Sequence, residues 1–241
     1  MPRRPRPLEA RRSEHWLRVA VNESTPTLNS RIRMAFGWPD EPIQWLSPLA
    51  SDQHAEYYDE SVHERLGITN LRVPLHDFWP AGGPRWDALA RTASGKLVLV
   101  EAKAHIDEIV DYGTRAGAES AVKINAALES AKSAYGARAE APWHTPFYQY
   151  ANRLAHLYYL RGLNELDAYL VFLYFANATD VPSPCSVERW QGAIQTVQRS
   201  LGLPGDHVYR GSLKSIILAV SDLKTTENLE RTSTESTAST R

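Results

Sequence analysis

Apolar residues recur along the chain in two rhythms, one of about 3.6 residues and one of two, and their succession predicts the order of elements. Trp16, Leu17, Val19 and Ala20 predict a short helix over Ser13–Asn22 with Ser13 as its N-cap. A second helix is predicted over Leu28–Phe36, ended by Pro39 and Pro42. Ser51 and Asp52 read as the cap of a third helix that runs to Leu66, where Gly67 stops it. Period two then takes over, and Leu71–Phe78, Trp86–Arg91 and Leu97–Ala104 read as three strands. Thr92-Ala-Ser-Gly-Lys96 joins the last two as a hairpin loop, with Gly95 supplying the left-handed backbone.

Helical spacing returns over Ala116–Tyr135, with Ala118, Val122, Ile124, Leu128 and Ala131 as the inner face. A further helix spans Pro146–Arg161 and ends at Gly162. Leu166–Ala176 is an almost unbroken run of apolar, aromatic and branched residues, the mark of a strand covered on both faces. Ser186–Leu201 reads as a helix and Ser215–Ser221 as another buried strand. Strands joined by hairpins pair antiparallel, whereas strands reached through helices run parallel to a neighbour. The predicted fold is therefore α/β: a mixed central sheet, antiparallel meander plus parallel strands, sandwiched by helices. The pattern confines it to one domain over residues 13–223. Residues 1–12 hold five arginines and three prolines and read as a mobile basic arm, and residues 224–241 read as a disordered Ser/Thr-rich tail.

Composition narrows the function. The 241 residues carry 27 basic and 28 acidic side chains, so any polyanion would have to meet a local basic surface rather than an overall positive field. The single cysteine, Cys185, excludes an internal disulfide and a cysteine-built zinc site. No apolar run is long enough to cross a bilayer and the N-terminus lacks a secretory pattern, which together predict a soluble, cytoplasmic protein with no membrane partner.

Chemistry concentrates in Trp86-Asp87-Ala88 and in Leu97-Val-Leu-Val-Glu101-Ala102-Lys103. Alternation puts Glu101 and Lys103 on the face of Leu97 and Leu99, and the hairpin brings Asp87 beside them. Charged side chains at the end of a core-like strand are costly to bury unless something compensates. Two carboxylates supply the oxygen ligands Mg²⁺ prefers, and a lysine beside them can orient water or offset charge on a phosphate. The competing reading is an ion pair at a strand end. A second acid-x-Lys tripeptide, Asp222-Leu223-Lys224, also closes an apolar strand but has no hairpin partner bearing an acid.

This arrangement resembles the PD-(D/E)XK nuclease superfamily, with its restriction endonuclease-like fold. Asp87 matches the first acid, Glu101 the second and Lys103 the lysine, while Trp86 stands where the family has proline. The resemblance implies Mg²⁺-dependent hydrolysis of nucleic-acid phosphodiesters, DNA in the first instance, with Mn²⁺ as a substitute and the Ala102 carbonyl as a further ligand. It also implies a metal-shell glutamate on the preceding helix, Glu56, with Glu60 and Glu64 as alternatives at helical spacing. Gln149, Asn152 and Arg153 form a polar stripe in an apolar helix, and Gln149 and Arg153 are the candidates for phosphate contact. His105 follows the motif as a minor candidate. With no separate DNA-reading domain in the pattern, target choice falls to a protein partner or to a homodimer. The alternative is an inactive nuclease-like scaffold that binds nucleic acid or a protein.

Overall fold

A computed structural model describes residues 3–5 and 9–223. In chain order the strands are β1 (Arg3–Arg4), β2 (Ile43–Ser47), β3 (Glu56–Tyr57), β4 (Ala88–Thr92), β5 (Leu97–Lys103), β6 (Ala168–Ala176) and β7 (Leu213–Ala219). The α-helices are α1 (Arg12–Asn22), α2 (Thr25–Phe36), α3 (Glu60–Leu66), α4 (Leu75–Phe78), α5 (Ala118–Ala134), α6 (Tyr148–Tyr158) and α7 (Val187–Ser200). Five strands form one sheet in the order β2-β4-β5-β6-β7, antiparallel from β2 to β5 and parallel from β5 to β7. The mixed sheet follows the predicted logic, since β4 and β5 are joined by a hairpin while β5, β6 and β7 are joined through helices.

Alternation along the strands divides the interior in two. Ala88, Ala90, Val98, Val100, Ala102, Val171 and Leu173 face α1 and α2, where Leu17, Leu28 and Ile32 complete an apolar layer. Leu89, Leu97, Leu99, Leu170 and Phe172 face the other way, onto Ile124, Leu128, Leu154 and Trp190 of α5, α6 and α7. β6 is buried at eight of its nine positions, which is why its sequence shows no polar alternation. Glu101 and Lys103 lie on the α6 side of the sheet, where the alternation predicts them.

Several expectations need correction. α1 begins at Arg12, so its N-cap is Arg11 and Ser13 lies within the helix. α2 ends at Gly37, whose φ of 71° closes the helix before either proline. The predicted helix over 51–66 resolves into a 3₁₀ turn at Ala50–Asp52, the two-residue β3, and α3. Gly67 does end α3, with φ 70°. The first strand of the meander is β2, not Leu71–Phe78. That segment is a loop leading into α4: the Val73 N–H donates to Asn164 Oδ1 at 2.9 Å and its carbonyl accepts from the Tyr159 hydroxyl at 3.0 Å, so side chains replace a strand partner. Gly162 sits inside a π turn, Tyr159–Leu163, that prolongs α6. On α5, Ala118 and Val122 are exposed while Ile124, Leu128 and Ala131 are buried.

Part of the basic arm is engaged, since Arg3 and Arg4 pair antiparallel with Tyr57 and Glu56. The rest of the predicted arm at 1–2 and 6–8, and the predicted tail at 224–241, lie outside the described residues. Among the described residues no helix is long and apolar enough to cross a membrane.

Candidate active site

The β4–β5 hairpin sets the geometry. Gly95 turns it with φ 91°, and its register pairs Ala88 with Val100, Leu89 with Leu99 and Ala90 with Val98. One step further, beyond the end of β4, Asp87 falls opposite Glu101. Asp87 Oδ2 accepts a hydrogen bond from the Ala102 N–H at 2.8 Å, so the side chain substitutes for the next rung of the ladder. N–H and C=O of one strand residue point to the same side, which directs the Ala102 carbonyl toward Asp87 as well.

Trp86 explains how the neighbouring segment joins. Its N–H donates to the Tyr57 carbonyl at 3.2 Å, bridging β3 to the start of β4. A proline there would have no hydrogen to give. Tryptophan at this position thus has a local use: it draws Glu56 up beside Asp87. Glu56 is 4% exposed and lines the same cleft, while Glu60 and Glu64 are exposed on α3 and take no part. The carboxylate arrives on a short strand, not on the helix the spacing suggested.

Glu101 is 1% exposed and Lys103 5%. The Lys103 ammonium bonds to Glu101 Oε1 and donates to Gln149 Oε1 at 2.7 Å. Glu101 Oε2 accepts from Arg153 Nε at 2.7 Å and lies 2.6 Å from its second guanidinium nitrogen. Arg153 also donates to the Arg85 carbonyl at 2.8 Å and stacks on the Trp86 ring, 4.8 Å from guanidinium carbon to ring centre. Gln149 and Arg153 are four residues apart, one turn of α6, so both reach the end of β5. The structure makes Arg153 a buried partner of Glu101 that also lines the cleft. Behind Trp86, His156 donates from Nδ1 to the Asn152 carbonyl at 2.9 Å, and burial pushes its pKa down to about 3, so it stays neutral against the aromatic wall.

The two acids differ electrostatically. Burial alone would raise Glu101, but Arg153 and Lys103 outweigh it and hold the carboxyl below its usual range. Asp87 lacks such a partner: burial, then Glu101 opposite it and Glu56 nearby, push it up to about 8 against the opposing pull of Lys103. Like charges directly opposite in a ladder are destabilising, and here one of them responds by holding its proton.

Beside the cluster is a cleft of about 530 Å³ lined by Glu56, Tyr58, Arg85, Asp87, Gln149 and Arg153, among others, with Glu101 and Lys103 outside that lining. Glu108 and Asp111 on its far side escaped the sequence reading, because they follow the motif in a loop with no periodic signal. Asp111 Oδ2 accepts from the Gln149 N–H at 2.7 Å and so steadies the start of α6. His105 is turned away: the strand ends at Lys103, and the His105 ring accepts from the Asp107 N–H at 3.3 Å as the cap of a 3₁₀ turn.

Among the described residues no group of three or more His, Cys, Asp or Glu side chains forms a ready-made metal cage. Mg²⁺ does not require one, since it typically keeps several waters and takes one or two carboxylates. Asp87, which lines the cleft near two other carboxylates, is the donor at which a cation would take the place of the proton. The donor chemistry therefore fits a hard divalent ion. No family model, curated protein or solved structure matches the chain.

Proposed function

We propose that the protein is a Mg²⁺-dependent nuclease of the PD-(D/E)XK type, with a restriction endonuclease-like fold, that hydrolyses phosphodiester bonds in DNA. The observation that carries this reading is the convergence of Asp87, Glu101 and Lys103 at the open end of one hairpin, with the cleft beside them. Asp87, the Ala102 carbonyl and Glu56 would hold the ion, while Glu101, paired with Lys103 and Arg153, would position Lys103 beside it. When bound, Mg²⁺ supplies positive charge against the scissile phosphate and a more acidic water. Lys103 is held between Glu101 and Gln149, so its remaining proton is fixed in direction and can orient the attacking water or stabilise the developing charge. Arg85, exposed at the cleft mouth, is placed to meet an adjacent phosphate. Mn²⁺ suits the same oxygen donors.

A second reading draws on a different feature. Both oxygens of Glu101 are already engaged by cations, which supports a nuclease-like scaffold that binds nucleic acid or a protein without turnover. Incubation with circular and linear DNA and with RNA, in Mg²⁺, Mn²⁺ or EDTA, separates the two. The nuclease reading expects cleavage in Mg²⁺ or Mn²⁺, none in EDTA, and loss of cleavage in folded Asp87→Ala, Glu101→Ala and Lys103→Ala. Full activity in all three variants, or no cleavage of any substrate, rejects it.

A further inference from the structure

The cleft above the ion cluster does not end there. A second cavity of about 400 Å³ continues it toward the first turns of α5, and the two share Gly82, Gly83, Pro84, Gly113, Tyr148 and Asn152. Together they form one groove running between two loops, 79–85 and 110–117. From the shape and chemistry of that groove we infer that the substrate lies in it as a single strand with unpaired bases. The inference rests on the nuclease reading for the position of the scissile phosphate.

The walls are tied to the scaffold. Asp59 accepts from the N–H of Gly82 at 2.9 Å and of Gly83 at 2.7 Å, fixing one loop to the start of α3. On the other side Asp111 accepts from the Gly113 N–H at 2.9 Å, and the Asp111 N–H donates to the Pro146 carbonyl at 2.8 Å. Gly113 has φ +83°, and a Cβ there would come within 2.8 Å of the His144 carbonyl, so this loop is seated directly on its neighbour. Both cavities have the size of small-ligand sites. With both walls anchored, the two cavities offer a bound strand a fixed track with the bulk of a few nucleotides.

The lining argues the same way. The cleft sets Glu56, Asp87, Glu108 and Asp111 against Arg85 and Arg153, the latter already paired with Glu101, so its attraction to a polyanion is modest, and the chain as a whole carries a formal charge of −1. Affinity must then come from somewhere other than phosphate pairing, which dominates duplex binding. Aromatic rings line the groove: Tyr58, with Arg85 over one face at 5.5 Å from guanidinium carbon to ring centre, and Tyr148 at the junction of the two cavities. Tyr112, on the loop between the groove-lining residues Asp111 and Gly113, is 97% exposed, and Arg115 follows in the second cavity. Aromatic rings interleaved with arginines along a groove stack on successive unpaired bases, whereas a duplex keeps its base faces hidden.

The test is fluorescence anisotropy with a labelled oligothymidylate and the corresponding duplex, in Ca²⁺, alongside cleavage of both in Mg²⁺. The single strand should bind at least about tenfold more tightly. Because Tyr112 is exposed, Tyr112→Ala should fold normally and weaken single-strand binding about 5- to 150-fold, or 1–3 kcal/mol at 1.4 kcal/mol per factor of ten. Tyr112→Trp should restore binding. Equal or tighter duplex binding, or unchanged affinity in Tyr112→Ala, overturns the inference. Duplex cleavage without single-strand preference overturns it while leaving the nuclease reading intact. Tyr112-dependent single-strand binding without cleavage upholds the mode of binding and removes the nuclease reading, and absence of both binding and cleavage overturns the two together.

Discussion

The chain contains two acid-x-Lys tripeptides at the ends of apolar strands, and they meet different fates. Glu101-Ala102-Lys103 closes β5, in the middle of the sheet, where its charges are buried and each has a second partner on α6. Asp222-Leu223-Lys224 follows β7, at the sheet edge. There Asp222 pairs with Arg31 at 2.8 Å with both side chains about 40% exposed, and Lys224 lies outside the described residues. The tripeptide is the same, so its meaning comes from what surrounds it. An edge strand lets charges keep their water, whereas a central strand with a hairpin neighbour forces acids and bases to neutralise one another. Only the second setting can concentrate unbalanced charge against a cleft.

Function should divide most sharply. Lys103→Ala is expected to lower cleavage by about 10²–10⁴-fold, the range for removing a positioned acid–base group, while Asp222→Asn leaves it unchanged in the same assay. Equal loss in both variants would erase the distinction.

Stability should divide nearly as far. Arg153→Met removes one of the two cations that hold Glu101 in the interior, and urea denaturation should show a loss of about 3–5 kcal/mol. Arg31→Met removes the corresponding cation from Asp222 and should cost under about 1 kcal/mol, an effect that added salt diminishes further.

The unpaired member of the buried cluster gives a smaller effect of opposite sign. Asp87 has its pKa raised from 3.8 to about 8, so its folded form holds a proton that the unfolded chain has released. Its contribution to stability is present below about pH 4 and is lost as pH rises through about 8. In EDTA, Asp87→Asn should therefore be more stable than the parent by at least about 1 kcal/mol at pH 8, with the difference shrinking toward pH 4. A difference that grows toward acid would show that Asp87 is held ionised instead.

The legible parts of the fold are those governed by neighbours in sequence. Period two placed Glu101 and Lys103 with Leu97 and Leu99, Gly95 marked the hairpin, and Ser186 marked the start of α7, where it accepts from the Arg189 N–H at 3.3 Å. What escaped depends on distant partners. β2 is only five residues long and directly follows Pro42, and its alternation acquires meaning only beside β4. Glu56, Glu60 and Glu64 have helical spacing, yet Glu56 is drawn into a strand by Arg4 on one side and, through Tyr57, by Trp86 on the other. Arg153 finds Glu101 across 52 residues, a pairing that no local pattern announces.

The claim beneath all of this is that the hairpin end, unlike the edge-strand tripeptide, is built to take a divalent cation. Calorimetric titration of Mn²⁺ into the protein, into Asp87→Asn and into Asp222→Asn addresses it directly. Binding in the parent, kept in Asp222→Asn and abolished in Asp87→Asn, is the predicted result. No binding in the parent, or undiminished binding in Asp87→Asn, would contradict it.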